Sequence, residues 1–162
     1  MIKVYTSYFY QVRFMRADCL PLSTALSDPK WYTRDGSWYL DKRGVINGLR
    51  AEPFVPRLDL PAADNCRGRE GCKFYEIPWE YCPFLTAYQE MLNKLDPKEI
   101  EQRFISLGNK YKEYINKPDL ELSYILLVHE APTNPCSERV MLQKWLKEND
   151  FGGKEWEKTS IQ

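Results

Sequence analysis

The chain contains one histidine, His129, among 162 residues, so no site built on two imidazoles is available to it. No apolar stretch approaches the roughly 20 residues of a membrane-spanning helix. No glycine-rich phosphate fingerprint, Walker sequence or dinucleotide motif follows either early apolar run, so a conventional NAD or ATP enzyme is not expected. There is no net charge either, because Lys+Arg and Asp+Glu both count 23. That removes the reason to expect strong non-specific DNA binding, while a local basic patch stays open. The opening MIKVYTSYFY has no charged-then-apolar leader pattern, and the expectation is a cytoplasmic protein with no membrane partner. Five cysteines are an odd number and are not spaced like a small secreted scaffold, which points to thiols or metal ligation rather than disulfides.

What the chain does have is aromatic residues, 14% of the total with 11 Tyr and 5 Trp. They suit a thick core, stacking surfaces for a planar ligand, or both. The most organised stretch is LSYILLVHEAPTNPCSERVMLQKWL, residues 122–146. The apolar run from Ser123 to His129 predicts a strand covered on both faces. Asn134 and Pro135 predict a helix start, Asn as N-cap and Pro at the first position. Cys136 and Ser137 then fall in the first helical turn, where the positive end of the helix dipole favours a thiolate. Val140, Leu142, Trp145 and Leu146 share the buried side. In open α/β sheets, ligands bind at the carboxyl ends of strands beside helix N-termini.

Earlier in the chain, Ile2 to Tyr5 predicts a first strand ending in Thr6-Ser7-Tyr8, and Cys19 to Leu26 a second ending near Ser23 and Thr24. Gln11 to Asp18 reads as a short helix. From 28 to 83, Pro, Gly, aromatic and charged residues alternate without a sustained period, which predicts an irregular insertion or lid. Within it, Cys66, Cys72 and Cys82 form a loose set that could ligate zinc with a fourth group from elsewhere; unpaired loop thiols are the alternative. Arg67 and Arg69 on the same glycine-containing loop suit anion contact. Further on, Pro83 to Leu95 carries apolar residues at helical spacing, and Asp96-Pro97-Lys98-Glu99 opens a second helix that Gly108 is expected to end. Residues 109–120 read as a solvated connection, and the tail after Asp150, with Gly152-Gly153, as frayed. Together these predict one α/β domain over 1–162, a small three-layer Rossmann-like unit with a mainly parallel sheet.

The ordered set Val4-Tyr5-Thr6-Ser7-Tyr8-Phe9, a second strand ending near Ser23, Pro29-Lys30-Trp31-Tyr32, then Leu126-Leu127, Glu130, Cys136 and Trp145-Leu146 resembles the domain of unknown function 488 family. That family's late motif is an apolar strand, a Glu, a short loop, Cys-His-Arg and a helix ending in Trp-Leu. Here Cys136 is followed by Ser137-Glu138-Arg139, so the histidine is absent and the arginine sits one place later. The resemblance implies an α/β fold of bacterial or phage origin and carries no function.

Three readings of the same residues follow. In the first, Ser137, Arg139 and the helix start hold an anion, Tyr8, Trp31 and Tyr32 stack on a planar group, Glu130 accepts hydrogen bonds from that group's edge, and Ser7 and Ser23 line the site. The ligand is then nucleotide-like or phosphorylated. In the second, Cys136 is a nucleophile or redox thiol with Glu130 as acid or base, acting on a nucleotide or nucleobase. Strand alternation sends His129 away from Glu130 and into the sheet layer, which weakens any Cys–His dyad. A third reading binds nucleic acid through the Arg67/Arg69 loop. Against all three stands a plain structural account: Glu130 and Arg139 form an ion pair, Cys136 is half-buried, and the aromatics are core.

Overall fold

The computed structural model describes residues 2–61, 78–134 and 136–158. Its centre is a four-stranded sheet built from β1 (Val4–Tyr8), β2 (Cys19–Ser23), β5 (Ser123–Val128) and β6 (Gly152–Glu155). The spatial order is β2-β5-β1-β6, and every pairing is parallel. A two-stranded antiparallel ribbon, β3 (Tyr39–Leu40) with β4 (Ile46–Asn47), lies in the connection that follows β2. The protein is thus mixed α/β with a parallel main sheet.

The central position of β5 explains its composition. Tyr124 to Val128 are all buried, because β5 has a strand on each side and packing on both faces. Alternation sorts the two faces. Val4, Leu20, Leu22, Tyr124, Leu126 and Val128 join one core with the helices α1 (Pro83–Asn93), α2 (Pro97–Tyr114) and α3 (Arg139–Glu148). Ile125, Leu127 and Cys19 join a smaller core on the other face. Among the described residues no α-helix contributes to that second core; Phe9 and Val12 of a 3-10 turn and Met15 just after it, with Tyr32 and Val45, cover it instead. The helix expected over 11–18 is this 3-10 turn, Phe9–Phe14. A six-residue apolar turn needs no helical repeat to cover so small an area.

The Asp96 cap is present, its Oδ1 accepting the Lys98 N–H at 3.0 Å. Two expectations about chain ends are corrected. Gly108 does not end α2, which runs on to Tyr114 with Tyr111 buried. The glycine is there for packing: a Cβ at 108 would stand 2.1 Å from the Tyr124 hydroxyl and 3.1 Å from the Leu122 side chain. Likewise the segment just after Asp150 is not frayed but forms β6. Gly152 (φ +96°) and Gly153 (φ +76°) adopt backbone that other residues resist, and so turn the chain into β6. There the Cβ position of Gly153 lies 2.9 Å from the Gln143 carbonyl.

Replacing Gly108 with Ala is expected to destabilise the protein by about 1–3 kcal/mol despite the better helix propensity of alanine, because Tyr124 must be displaced. Chemical denaturation checks this, and adding Tyr124→Phe should recover part of the loss. An alanine variant as stable as the parent would show that the helix ignores Tyr124.

Candidate functional site

The carboxyl ends of β1, β5 and β6 converge on the start of α3, and their polar side chains meet around Arg139. This arginine is 5% exposed. Its Nε donates to Glu155 Oε1 at 2.8 Å, and its Nη2 donates to the Glu130 carbonyl at 2.7 Å. The same Glu155 oxygen accepts from the Thr6 hydroxyl at 2.8 Å, and Gln143 Nε2 donates to Thr6 Oγ1 at 2.8 Å. Local sequence accounts for the assembly. Thr6 and Glu155 are paired positions of neighbouring strands, so their side chains share a face. Gln143 lies four residues after Arg139 on α3, one turn along the same helix face. The guanidinium also stands over the Tyr8 ring at 5.8 Å.

Beside this network sits a carboxyl pair. Burial of the Glu138 carboxyl, then the neighbouring Glu130 charge and the hydrogen bond between the two side chains, push the Glu138 pKa up to about 8. Treated as two carboxylates, Glu130 Oε1 is buried with no donor. A protonated Glu138 supplies that donor, so the pair shares one proton at neutral pH. Glu138 in turn raises the pKa of Tyr88, whose first cause is its own burial and whose hydroxyl donates to the Phe54 carbonyl at 2.5 Å.

Four buried side-chain atoms among the described residues have no hydrogen-bond partner: Ser7 Oγ, Glu130 Oε1, Arg139 Nη1 and Glu155 Oε2. Arg139 Nη1, Glu155 Oε2 and Glu130 Oε1 stand at the helix start and the strand ends it faces, Glu130 Oε1 lacking a donor only while Glu138 is ionised; Ser7, level with Leu127, lies on the opposite face of the sheet. Such atoms cost about 1–3 kcal/mol each when left alone, so their concentration at one edge of the sheet is informative.

The helix itself differs from expectation. It begins at Arg139, not at Cys136. Asn134 Oδ1 accepts the Cys136 N–H at 2.8 Å, which closes a side-chain turn rather than a helix cap. Ser137 takes the capping role: its Oγ accepts the Arg139 N–H at 3.2 Å, and its carbonyl accepts from Val140. The Cys136 thiol therefore lies ahead of the helix, buried at 6% exposure among core residues including Met141 and Leu142. Ion pairing between Glu130 and Arg139 is replaced by a bond to the Glu130 carbonyl, with Glu155 as the charged partner.

The other expected site residues disperse. Ser23, fully buried, donates to Asp28, which pairs with Arg50 at 2.8 Å. Arg50 continues to the Ala25 carbonyl at 2.6 Å and to Glu52 at 2.9 Å, making a self-contained cluster beside β2. Tyr32 is not a stacking surface: it is 0% exposed, its hydroxyl donating to the Leu49 carbonyl at 2.6 Å, edge-on to Phe9. Trp31 is 47% exposed and Tyr8 half-buried, so those two retain ring surface for a ligand. His129 is not in the sheet layer; it is exposed, with Nε2 bonded to the Ser27 carbonyl at 2.6 Å. Cys66 and Cys72, like Arg67 and Arg69, lie outside the described residues. Cys82 is buried at 3% exposure at the start of α1, and among the described residues no group of three His, Cys, Asp or Glu side chains could hold a metal.

Sequence reasoning saw Thr6 only as part of the turn that ends the first strand, and it missed Gln143, Glu155 and the Glu130–Glu138 pairing. Only the register of β6 against β1 brings Glu155 to Arg139, and no local pattern marks that. No family model matches this chain, and neither a curated protein nor a solved structure matches it.

The carboxyl pair sets a pH dependence. Folded Glu138 keeps its proton up to about 8, while in the unfolded chain it ionises near 4.5. Between those values the folded state binds more protons, so stability falls as pH rises, by up to about 1.4 kcal/mol per pH unit from this group. Glu138→Gln keeps the donor to Glu130 and should flatten that part of the profile. Urea midpoints measured from pH 5 to 8 check it; an equally steep decline in the variant would remove Glu138 as its source.

Proposed function

We propose that the carboxyl edge of the sheet binds a small polar ligand that is nucleotide-like or nucleobase-like, on a Rossmann-like scaffold. The observation that carries this reading is the cluster of unpartnered buried atoms around Arg139. Arg139 Nη1 requires an acceptor, whereas Glu155 Oε2 requires a donor. A ligand edge with donors and acceptors side by side, as on a nucleobase or an amide, matches that demand. A bare phosphate, which only accepts when fully ionised, would leave the carboxylate unsatisfied and repelled. The reading thus moves from the anion held by a helix start to a mixed polar edge held by a preorganised guanidinium. Tyr8, half-buried under the Arg139 guanidinium, supplies ring surface at the same strand ends.

The Cys136 chemistry is less well supported, since the thiol is buried ahead of the helix rather than exposed on its dipole. Kinship with the domain of unknown function 488 family belongs to the same proposal, supported by the ordered set ending in Glu130, Cys136 and Trp145-Leu146.

Thermal-shift titration against a panel of nucleobases, nucleosides and nucleotides tests the reading, with native mass spectrometry of the purified protein for a retained molecule. At least one compound should raise the melting temperature in proportion to its concentration. Arg139→Lys keeps the charge but loses the fork, and should weaken that compound by about tenfold or more. Cys136→Ser should leave binding intact. Absence of any shift at millimolar concentration, with no retained molecule, would sink the proposal.

A further inference from the structure

We infer that a second surface of this protein binds single-stranded nucleic acid: the basic cleft formed by Arg13, Arg16, Arg43 and Lys158, with Tyr10 and Phe14 beside it. The cleft is about 510 Å³, and every charged residue that lines it is cationic. It shares no lining residue with the Arg139 network, and it forms where the 3-10 turn after β1 leads into β2 and the segment after β6 returns alongside it. A chain with zero net charge has gathered four cations at one place, which is the local patch that composition leaves open.

The cations are held in different ways, and the difference matters. Arg43 is fixed in place. Its Nη1 donates to the carbonyls of Val12 and Met15, and its Nη2 pairs with Asp41 at 2.5 Å. It shapes the cleft more than it charges it. Arg13, Arg16 and Lys158 have no ion-pair partner among the described residues. Asp18 and Glu157 flank the cleft in sequence, and neither forms an ion pair there. Three cations are thus available to phosphates.

The aromatic side of the cleft selects among polyanions. The Arg13 guanidinium covers the Tyr10 ring at 4.0 Å, and the Lys158 ammonium stands 4.8 Å from the Phe14 ring centre. Tyr10 and Phe14 are 6.0 Å apart edge to face, and Tyr8 follows Tyr10 at 6.3 Å. Tyr10 is 52% exposed. Rings alternating with unpaired cations match a strand whose bases stack while its phosphates run beside them. A duplex hides its base faces and would use the cations alone. An anionic membrane would use the charges but has no need of ring faces at this spacing.

Fluorescence anisotropy with a labelled oligo-dT of about 12 nucleotides, within the range of single-strand site sizes, tests the inference. Binding is expected at low salt, with a log–log salt slope near −2 if three phosphates are neutralised on a single strand. The Arg16→Ser/Lys158→Ser variant should reduce that slope to about −0.7, since one neutralised phosphate remains. Tyr10→Ala should weaken binding about tenfold, and Tyr10→Phe should restore it. Far-UV circular dichroism confirms that these surface variants are folded. The nucleoside-induced thermal shift should be unchanged in Arg16→Ser/Lys158→Ser, which separates this cleft from the carboxyl edge. Failure to bind the oligonucleotide, equal binding to duplex DNA or phosphatidylserine vesicles, or a slope unmoved by the double variant would overturn the inference.

Discussion

A single guanidinium joins the parts of this protein that are far apart in sequence. Arg139 bonds the end of β6 through Glu155 and the segment beyond β5 through the Glu130 carbonyl, and Glu155 passes the connection to β1 through Thr6. It does so at 5% exposure, where an ion pair gains strength from low dielectric but carries a large desolvation penalty. Such a pair is weak evidence for stability as such. Removing either partner would strand a charge at the end of β6 or the start of α3. With the edge strand held in this way, the carboxyl ends of three strands and the helix start are brought to one place.

The same desolvation creates the second feature of that edge. Desolvation and the neighbouring Glu130 carboxylate raise the Glu138 pKa to about 8, so Glu138 holds a proton beside Glu130 at neutral pH. The acid pair lies next to the cation without neutralising it, because Glu155 already occupies the Nε side of the fork. What results is a polar edge in which acceptor and donor demands stand side by side. By contrast, the Ser23–Asp28–Arg50–Glu52 cluster beside β2 makes its bonds internally. The two clusters have similar composition, and their difference lies in which atoms are left over. The cleft around Arg13, Arg16 and Lys158 differs from both, as these three cations form no ion pair among the described residues.

Local chemistry made much of the architecture legible. The apolar run of β5 announces a doubly covered strand, and the Asp96-Pro97 pair announces the start of α2, where Asp96 does cap the Lys98 N–H. Arg139, Glu130 and Tyr8 were singled out in the sequence because each follows a strand or opens a helix, and the structure brings the three close together. Tyr32 was misread because an aromatic beside a strand end looks the same whether its ring meets a ligand or the core. Ser137 was read as a ligand donor, although a hydroxyl two residues before the Arg139 N–H serves as a cap just as well.

The amino-acid sequence by itself determined the elements whose causes are local: the hydrophobic period of α1, the cap of α2, and the apolar strands. Each depends on contacts within about one turn or on the two-residue alternation of a strand. The tertiary structure decided the rest. Gly108 looks like a helix stop and is a packing site, because the deciding atom is the Tyr124 hydroxyl sixteen residues away in the chain. Gly152-Gly153 looks like a loose tail and opens β6, because β1 offers an unpaired edge for it to join. Glu155 carries no local mark of importance at all. It becomes the partner of Arg139 only through strand register, a long-range constraint that no window of sequence contains.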